Sequence, residues 1–287
     1  MKQIKYFLQY IVILFLFIIF RILGLKYSSI LSGYIAKIFG PIFRSNKISY
    51  SNLTNAYPNL NEIEKNNIIK KMWINYGTIL TEYLFLKNFR TNLKYQKKIN
   101  IVNKEVLENV AKDKKPVIFI SGHFNNFELM AMEIEKSGVD LAAVYRPLNN
   151  IFLNPIMERI RKKYICKNQI KKGISGTKEL LKCFRKNTSI ALMIDQRVSE
   201  GIPCNFFNKL ALTTTLPAQF VKKFNTDVIP VYIERFNDNS FKIEFSKPLN
   251  FSKNDGVHDI TLKLNKVLEK MILKNPEQWI WTHNRWK

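Results

Sequence analysis

An apolar run near the amino terminus most limits what this chain can fold into. Residues 6–25 read YFLQYIVILFLFIIFRILGL, in which only Gln9 and Arg21 interrupt the apolar side chains. A helix of about 20 residues is about 30 Å long, which is the thickness of the hydrocarbon layer of a bilayer. Arg21 lies near the end of the run, where its side chain can reach the lipid headgroups. We therefore predict a membrane-spanning anchor helix here.

A cleaved signal peptide is the alternative interpretation of this run, because Lys2 and Lys5 precede it. The residues that follow lack a small-x-small cleavage site, and they stay apolar and basic through Ile42, as in an amphipathic helix lying on a membrane. We predict an uncleaved anchor and interfacial helix at residues 1–42 and a soluble domain at residues 43–287. The orientation of the anchor stays open, because basic residues flank both of its ends.

The rest of the composition is typical of a folded domain with excess positive charge. The 287 residues include 46 Lys+Arg and 22 Asp+Glu, and 46% are hydrophobic, which excludes a disordered chain. The net charge of +24 favours an anionic partner: nucleic acid, acidic lipid or an acidic carrier protein. The scattered cysteines, Cys166, Cys183 and Cys204, exclude a disulfide scaffold.

Short apolar strands alternate with amphipathic helices throughout the body of the chain. The predicted strands cover residues 116–120, 141–145, 189–194, 228–233 and 241–245, the last with the alternation of an edge strand. The predicted helices cover residues 61–89, 126–137, 151–163, 177–186, 216–224 and 258–273. This order predicts an α/β fold with a mostly parallel central sheet flanked by helices.

The candidate chemistry lies just after the first of these strands. Gly122 permits a sharp turn, His123 falls at the carboxyl edge of the sheet, and Glu128 falls in the first turn of the next helix. Because His123 is still in the loop, its ring can fold back towards the carboxylate of Glu128. A histidine oriented by a carboxylate is a general base that can deprotonate a hydroxyl without a Ser or Cys nucleophile.

Structural interpretations compete with this one. Asn125-x-x-Glu128 also fits a capping box, and a lone histidine after a strand is commonly a turn residue. A metal site is not expected, because the three histidines, His123, His258 and His283, form no HExxH pattern.

Four stretches, in order, resemble the late acyltransferases of lipid A biosynthesis. They are residues 122–129 (GHFNNFEL), 144–150 (VYRPLNN), 194–196 (IDQ) and 276–287 (PEQWIWTHNRWK). This lauroyl/myristoyl transferase family lies within the glycerolipid acyltransferase-like superfamily, and the similarity covers essentially the whole chain. Two positions depart from the pattern: Phe127 stands where the family usually has Trp, and Ile151 where a Pro commonly follows the Asn pair.

The resemblance implies a membrane-bound O-acyltransferase of the inner membrane, with its catalytic domain on the cytoplasmic face. It would move a fatty acyl chain from an acyl carrier protein thioester, a co-substrate, to a hydroxyl of a lipid A precursor. No cofactor and no metal are expected. The implied partners are therefore acyl carrier protein, the lipid A precursor and membrane lipids.

The resemblance also implies roles for individual residues. His123 and Glu128 are the catalytic pair, with His123 the base and Glu128 its orienting partner. Arg161 and Asp195 match positions that the family treats as important for activity, and we assign them with Arg146 to substrate binding. Arginine suits bidentate contact with the phosphates of such an acceptor. A capping or turn role is the alternative for Asp195.

Other functions also fit the sequence. A glycerophospholipid or phosphatidylinositol-mannoside acyltransferase would use the same base. A membrane-tethered nucleic-acid binder would explain the charge, but the sequence lacks a helix-turn-helix and aromatic-basic RNA motifs, so we expect no nucleic acid. A lipid-binding protein without turnover is a third possibility.

Overall fold

The computed structural model describes residues 2–287, and a seven-stranded sheet lies at its centre. The strands of the chain are β1 (Ile99–Val102), β2 (Ile118–Ser121), β3 (Leu141–Tyr145), β4 (Asn168–Lys171), β5 (Ser189–Met193), β6 (Ile202–Phe206), β7 (Lys209–Thr213), β8 (Val228–Arg235) and β9 (Phe241–Phe245). The central sheet has the order β1-β9-β8-β2-β5-β3-β4, and β6 and β7 form a separate antiparallel hairpin.

The sheet is parallel except at one pair, β8 with β9. The predicted α/β class with a mostly parallel sheet is therefore confirmed. The prediction that residues 241–245 form an edge strand is wrong, because β9 lies between β1 and β8. Its burial does alternate, because successive side chains point to opposite faces of the sheet, but its outer edge is paired with β1, a short strand that the sequence pattern did not mark.

Helices surround the sheet and connect its strands. They are α1 (Lys2–Phe43), α2 (Asn46–Ala56), α3 (Glu62–Tyr83), α4 (Leu86–Thr91), α5 (Leu93–Gln96), α6 (Lys104–Asp113), α7 (Glu128–Lys136), α8 (Asn154–Tyr164), α9 (Ile174–Arg185), α10 (Leu216–Phe224) and α11 (Val257–Lys274). The predicted bounds of β3, β9 and α10 are those of the structure, while the predicted helix at residues 61–89 is divided into α3 and α4.

Helix α1 bends at Gly24, where φ is 71° and ψ is 170°. Its length and hydropathy are those of a helix that could cross a membrane. After the bend, one face packs closely on α3 through small side chains, including the buried Ser28 and Ser32. A Cβ atom at Gly77 of α3 would lie 2.0 Å from the backbone oxygen of Ser32, so this contact requires glycine.

The central strands place two loops side by side. Strand β2 is buried along its whole length, and its neighbour β5 runs parallel to it with Ser121 opposite Met193. Both strands therefore end at the same edge of the sheet. Continued by two residues, this register places His123 beside Asp195.

Candidate active site

His123 and Asp195 form a hydrogen-bonded pair at the carboxyl edge of β2 and β5. The ring Nδ1 of His123 lies 2.8 Å from one carboxylate oxygen of Asp195, and the backbone N–H of His123 donates to the other oxygen at 2.8 Å. Gly122 makes this approach possible, since a Cβ there would lie 2.9 Å from Phe124 and 3.3 Å from the Cβ of Asp195. The side chain of His123 is 21% exposed and that of Asp195 is 1% exposed, so only the ring is accessible from outside.

The electrostatics of the pair fix the tautomer of the ring. Burial raises the pKa of Asp195, but the charge and hydrogen bonds of His123 and the indole of Trp279 outweigh this and lower it to about 2. A carboxylate only accepts hydrogen bonds, so Nδ1 of His123 carries a proton and Nε2 is free to accept one. Burial lowers the pKa of His123, but the attraction of Asp195 and, less strongly, of Glu128 raises it above its ordinary value.

Glu128 occupies a different place from the one predicted for it. Its carboxylate accepts a hydrogen bond from Nε of Arg161 at 2.8 Å and one from the hydroxyl of Tyr83. Among the described residues, no hydrogen bond joins Glu128 to His123. The predicted direct pairing is thus corrected, because the register of β2 and β5 brings the nearer carboxylate from Asp195. Glu128 acts on the ring only through space.

Tyr83, Glu128 and Arg161 form a second cluster beside the pair. Arg161 donates through Nη2 to the Tyr83 hydroxyl at 3.1 Å, and its guanidinium lies over the rings of Tyr83 and Tyr145. Burial and the charge of Glu128 hold the pKa of Tyr83 well above its ordinary value, so its hydroxyl stays protonated and donates. The buried Nη1 of Arg161 has no hydrogen-bond partner within residues 2–287.

The capping-box alternative for Asn125 and Glu128 is also corrected. Helix α7 begins at Glu128 without a side-chain cap. Asn125 has a positive φ of 41°, and its amide nitrogen donates to the backbone oxygen of Ile233 at 3.2 Å and to the side chain of Gln278. Since Glu128 binds Arg161 and Tyr83, neither residue of the pattern caps the helix.

The segment at residues 276–287 contacts both the loop of His123 and the side chain of Asp195. The indole N–H of Trp279 donates to Asp195 at 2.7 Å, which gives this carboxylate its third donor. The backbone of Trp279 pairs with that of Phe124, and Asn125 donates its backbone N–H to the oxygen of Gln278 at 3.1 Å. This segment therefore holds both the loop that carries His123 and the carboxylate that orients it.

The other basic candidates make no hydrogen bond or ion pair with His123 or Asp195 in the described part of the chain. Arg146 is exposed in the loop after β3, without a hydrogen-bond or ion-pair partner in the described part of the chain. Burial lowers the pKa of His283 to about 4, which keeps it neutral, and His258 is exposed at the start of α11. Asp195, which we predicted to bind substrate, instead accepts hydrogen bonds from His123 and Trp279.

Sequence reasoning did not identify Tyr83 or the bond from Trp279 to Asp195. Tyr83 is the last residue of α3 and has no motif around it. Trp279 lies in the closing motif, but its ordinary role would be packing. The only available signal for Trp279 was its place in that motif.

Comparisons with known proteins identify the family of this chain. The profile of the bacterial lipid A biosynthesis acyltransferases matches residues 1–287. A lipid A biosynthesis lauroyltransferase of Escherichia coli is 24% identical over 251 residues, covering 85% of this chain and 79% of the relative. A lipid A biosynthesis acyltransferase of Haemophilus influenzae is 24% identical over 247 residues, covering 84% and 76%. The resemblance in the four motifs is confirmed: the chain belongs to the bacterial lipid A biosynthesis acyltransferases, a family of O-acyltransferases.

Proposed function

We propose that this acyltransferase moves a fatty acyl chain from an acyl carrier protein thioester to a hydroxyl of a lipid A precursor, with His123 as general base. The observation that carries the proposal is the bond between His123 Nδ1 and Asp195. It leaves Nε2 of the neutral ring free to accept a proton, and the side chain of His123 is 21% exposed. The names of the relatives, a lauroyltransferase among them, support the fatty acyl donor and the lipid A acceptor.

The proton and acyl transfers balance without a further reactant. Nε2 of His123 takes the proton of the acceptor hydroxyl while the hydroxyl oxygen attacks the thioester carbonyl. The tetrahedral intermediate collapses as its carbon–sulfur bond breaks, and the imidazolium returns the proton to the leaving thiolate. Asp195 stabilises the imidazolium without accepting the proton. We therefore reassign Asp195 from substrate binding to the orientation of the base.

Glu128 and Arg161 take a different role in this mechanism. Glu128 and Tyr83 hold the guanidinium of Arg161 by hydrogen bonds, so its direction is fixed before substrate binds. Its unpartnered Nη1 is a preorganised donor for the oxyanion of the intermediate or for a phosphate of the acceptor. In this proposal Glu128 positions the arginine, and its influence on His123 is electrostatic.

Arg146 and the basic residues from α8 to the end of β4 supply the contacts with anionic substrates. Arg146 is exposed in the loop before α8, where a phosphate of the acceptor can reach it. Between Arg159 and Lys172 the chain has seven basic residues and no acidic one. This charge suits an acidic carrier protein. The apolar helix α1 supports a location at the inner membrane, and a carrier-bound donor requires the domain to face the cytoplasm.

The test is lipid A mass spectrometry in a host that lacks its own late acyltransferases. The wild type, His123→Ala and the matched control His258→Ala are expressed at equal levels in the membrane. We expect the wild type and His258→Ala to add the mass of one acyl chain to lipid A, and His123→Ala to add none.

Two outcomes would contradict the proposal. Acylation by His123→Ala at the wild-type level would show that His123 is not the base. Unchanged lipid A in the presence of folded wild-type protein would refute the acceptor, and acyl gain on glycerophospholipids would then identify the alternative. Purified enzyme given acyl carrier protein or coenzyme A thioesters tests the donor separately.

A further inference from the structure

We infer that α1 lies along the protein within one leaflet of the membrane and does not cross it. The inference concerns the segment before Gly24, which by length alone could span the bilayer. It rests on the proposed membrane location of the acyltransferase. It adds that both ends of this segment lie on the same side as the catalytic domain.

The first turns of α1 contact the loop between β3 and α8. Asn150 donates its side-chain amide to the backbone oxygen of Tyr6 at 2.9 Å, and this asparagine is itself buried. The ring of Phe152 packs against those of Phe7 and Tyr10, with centroids 5.5 Å and 5.9 Å apart. The amino end of the helix is therefore attached to the catalytic domain.

The other end of the segment is attached to the same domain. The guanidinium of Arg21 donates to the backbone oxygen of Leu84 at 2.6 Å and lies 5.3 Å from the ring centroid of Phe85. It also reaches the side chain of Asn88 at 3.4 Å. Tyr6 and Arg21 are about 22 Å apart along a helix. A helix that left the domain to cross a membrane would keep at most one of these two attachments.

The burial of side chains along the segment also shows that one face of α1 packs against the protein. Gln9, Ile13, Leu16 and Phe17 are half-buried and Phe20 is buried, which forms a shielded stripe between the two attachments. The opposite stripe is exposed and apolar at three- and four-residue spacing: Ile4, Leu8, Ile11, Phe15, Ile18 and Ile22. One face of the segment is thus directed towards the protein and the other is open along its whole length.

The open stripe continues past the bend at Gly24. In the second half of α1, Tyr34, Ile38 and Ile42 are exposed, while the opposite face packs on α3. Both halves therefore expose apolar surface, with Lys26 and Lys37 beside it. The occupant that fits an apolar surface bordered by lysines is an anionic lipid leaflet: acyl chains cover the apolar side chains, and headgroups pair with the ammonium groups.

The charge pattern also favours this arrangement. Lys5 precedes the apolar segment, while Arg21 and Lys26 follow its core, so a spanning helix would leave basic residues on both sides of the membrane. Cytoplasmic segments are enriched in basic residues, and a helix within one leaflet leaves all of these residues on that side. Spanning would also carry the polar groups of Asn150 or Asn88 into hydrocarbon if both attachments persisted.

Cysteine accessibility in native membranes distinguishes the two arrangements. Gln3→Cys and Ser51→Cys are made separately in a Cys183→Ser background, because Cys166 and Cys204 are buried. Gln3 precedes the apolar segment, and Ser51 is an exposed residue of α2 that reports the side of the domain. A membrane-impermeant maleimide is applied to intact spheroplasts and to inside-out vesicles.

We expect neither variant to react in spheroplasts and both to react in vesicles. Labelling of Gln3→Cys in spheroplasts, with Ser51→Cys protected, would show a spanning helix and overturn the inference. Labelling of both in spheroplasts would refute the proposed cytoplasmic location and still support a helix that does not cross. The two failures are therefore distinguishable.

A cross-linking experiment tests the contact itself. A short bismaleimide is expected to join the pair Phe7→Cys/Phe152→Cys in vesicles. It should not join Val12→Cys/Phe152→Cys, because the ring of Phe7 contacts that of Phe152, whereas Val12 lies more than one turn further along α1 and is exposed. Equal yields for the two pairs would show that the helix leaves the domain, whichever side its amino end occupies.

Discussion

Replacing Asp195 with Asn tests the arrangement of the proposed base most directly. The carboxylate accepts three N–H donors, at 2.8 Å from the backbone of His123, 2.8 Å from its Nδ1 and 2.7 Å from Trp279. A carboxamide has the same shape but only one acceptor oxygen, and its NH₂ group donates. At least one of the three donors is therefore opposed by another donor in Asp195→Asn.

The effect on the rate follows from the tautomer of His123. When the NH₂ group faces Nδ1, the neutral ring must carry its proton on Nε2, and the base is lost. Such a change lowers kcat by about 10³- to 10⁴-fold, or roughly 4–5.5 kcal/mol of transition-state stabilisation. The loss of charge also lowers the pKa of His123, because Asp195 now raises it against the effect of burial.

The pH dependence provides a second readout with a definite sign. The base works when neutral, so the wild-type rate rises with pH through the pKa of His123, which lies above 6.5. In Asp195→Asn this rising limb of the pH–rate profile should move to lower pH, although the maximal rate falls. Initial rates of acyl transfer between pH 5 and 9 measure both effects. Asp113→Asn, an exposed change in α6, is the control.

Glu128→Gln is the comparison that can refute the reasoning. Glu128 contributes less to the raised pKa of His123 than Asp195 does, so its loss should move the limb less. Its main effect should be loss of rate and stability, because an unpaired Arg161 remains buried. A wild-type rate and limb in Asp195→Asn, with a large shift of the limb in Glu128→Gln, would restore the pairing first predicted from the sequence.

Two further substitutions test the residues that hold this arrangement. Tyr83→Phe removes the hydroxyl between Glu128 and Arg161 and should lower the free energy of unfolding by about 1–3 kcal/mol, together with the rate; equal urea midpoints and rates would contradict this role. Trp279→Phe removes one hydrogen-bond donor from Asp195 and should lower the free energy of unfolding by about 1.5–3 kcal/mol. The lowered pKa of Asp195 gives stability that is present above its ordinary value of 3.8 and lost as pH falls towards about 2, so acid unfolding of Trp279→Phe should begin at higher pH.

The position of the base could be predicted from the sequence, but its partner could not. A buried run followed by Gly122 predicts a strand end, and a strand end places His123 at the ligand edge of the sheet. The nearest carboxylate along the chain, Glu128, then looked like the partner. The actual partner is 72 residues away, because β5 lies beside β2 although β3 and β4 come between them in the chain. Strand order depends on the packing of whole helices and is not encoded in local periodicity.

The elements missed by the sequence pattern share a physical cause. Strand β4 reads NQIK and β6 reads IPCNF, so neither shows the apolar run or the clean alternation that marks a strand. They are held instead by neighbours: β4 pairs with β3, and the β6–β7 hairpin pairs internally while Asn265 of α11 donates to the backbone of Asn205. These segments form strands because of tertiary contacts, although their local strand preference is weak.

The closing motif and the histidine motif act as one structural unit, although their functions look unrelated in sequence. Trp279 donates to Asp195, and Gln278 binds Asn125 in the loop that carries the histidine. His123 and its carboxylate partner are therefore both held by residues about 155 positions after His123. A local unfolding of residues 276–287 would release the carboxylate and the loop together. Substitutions in this segment should therefore change catalysis and stability in parallel, whereas a change at exposed Arg146 should alter substrate affinity alone.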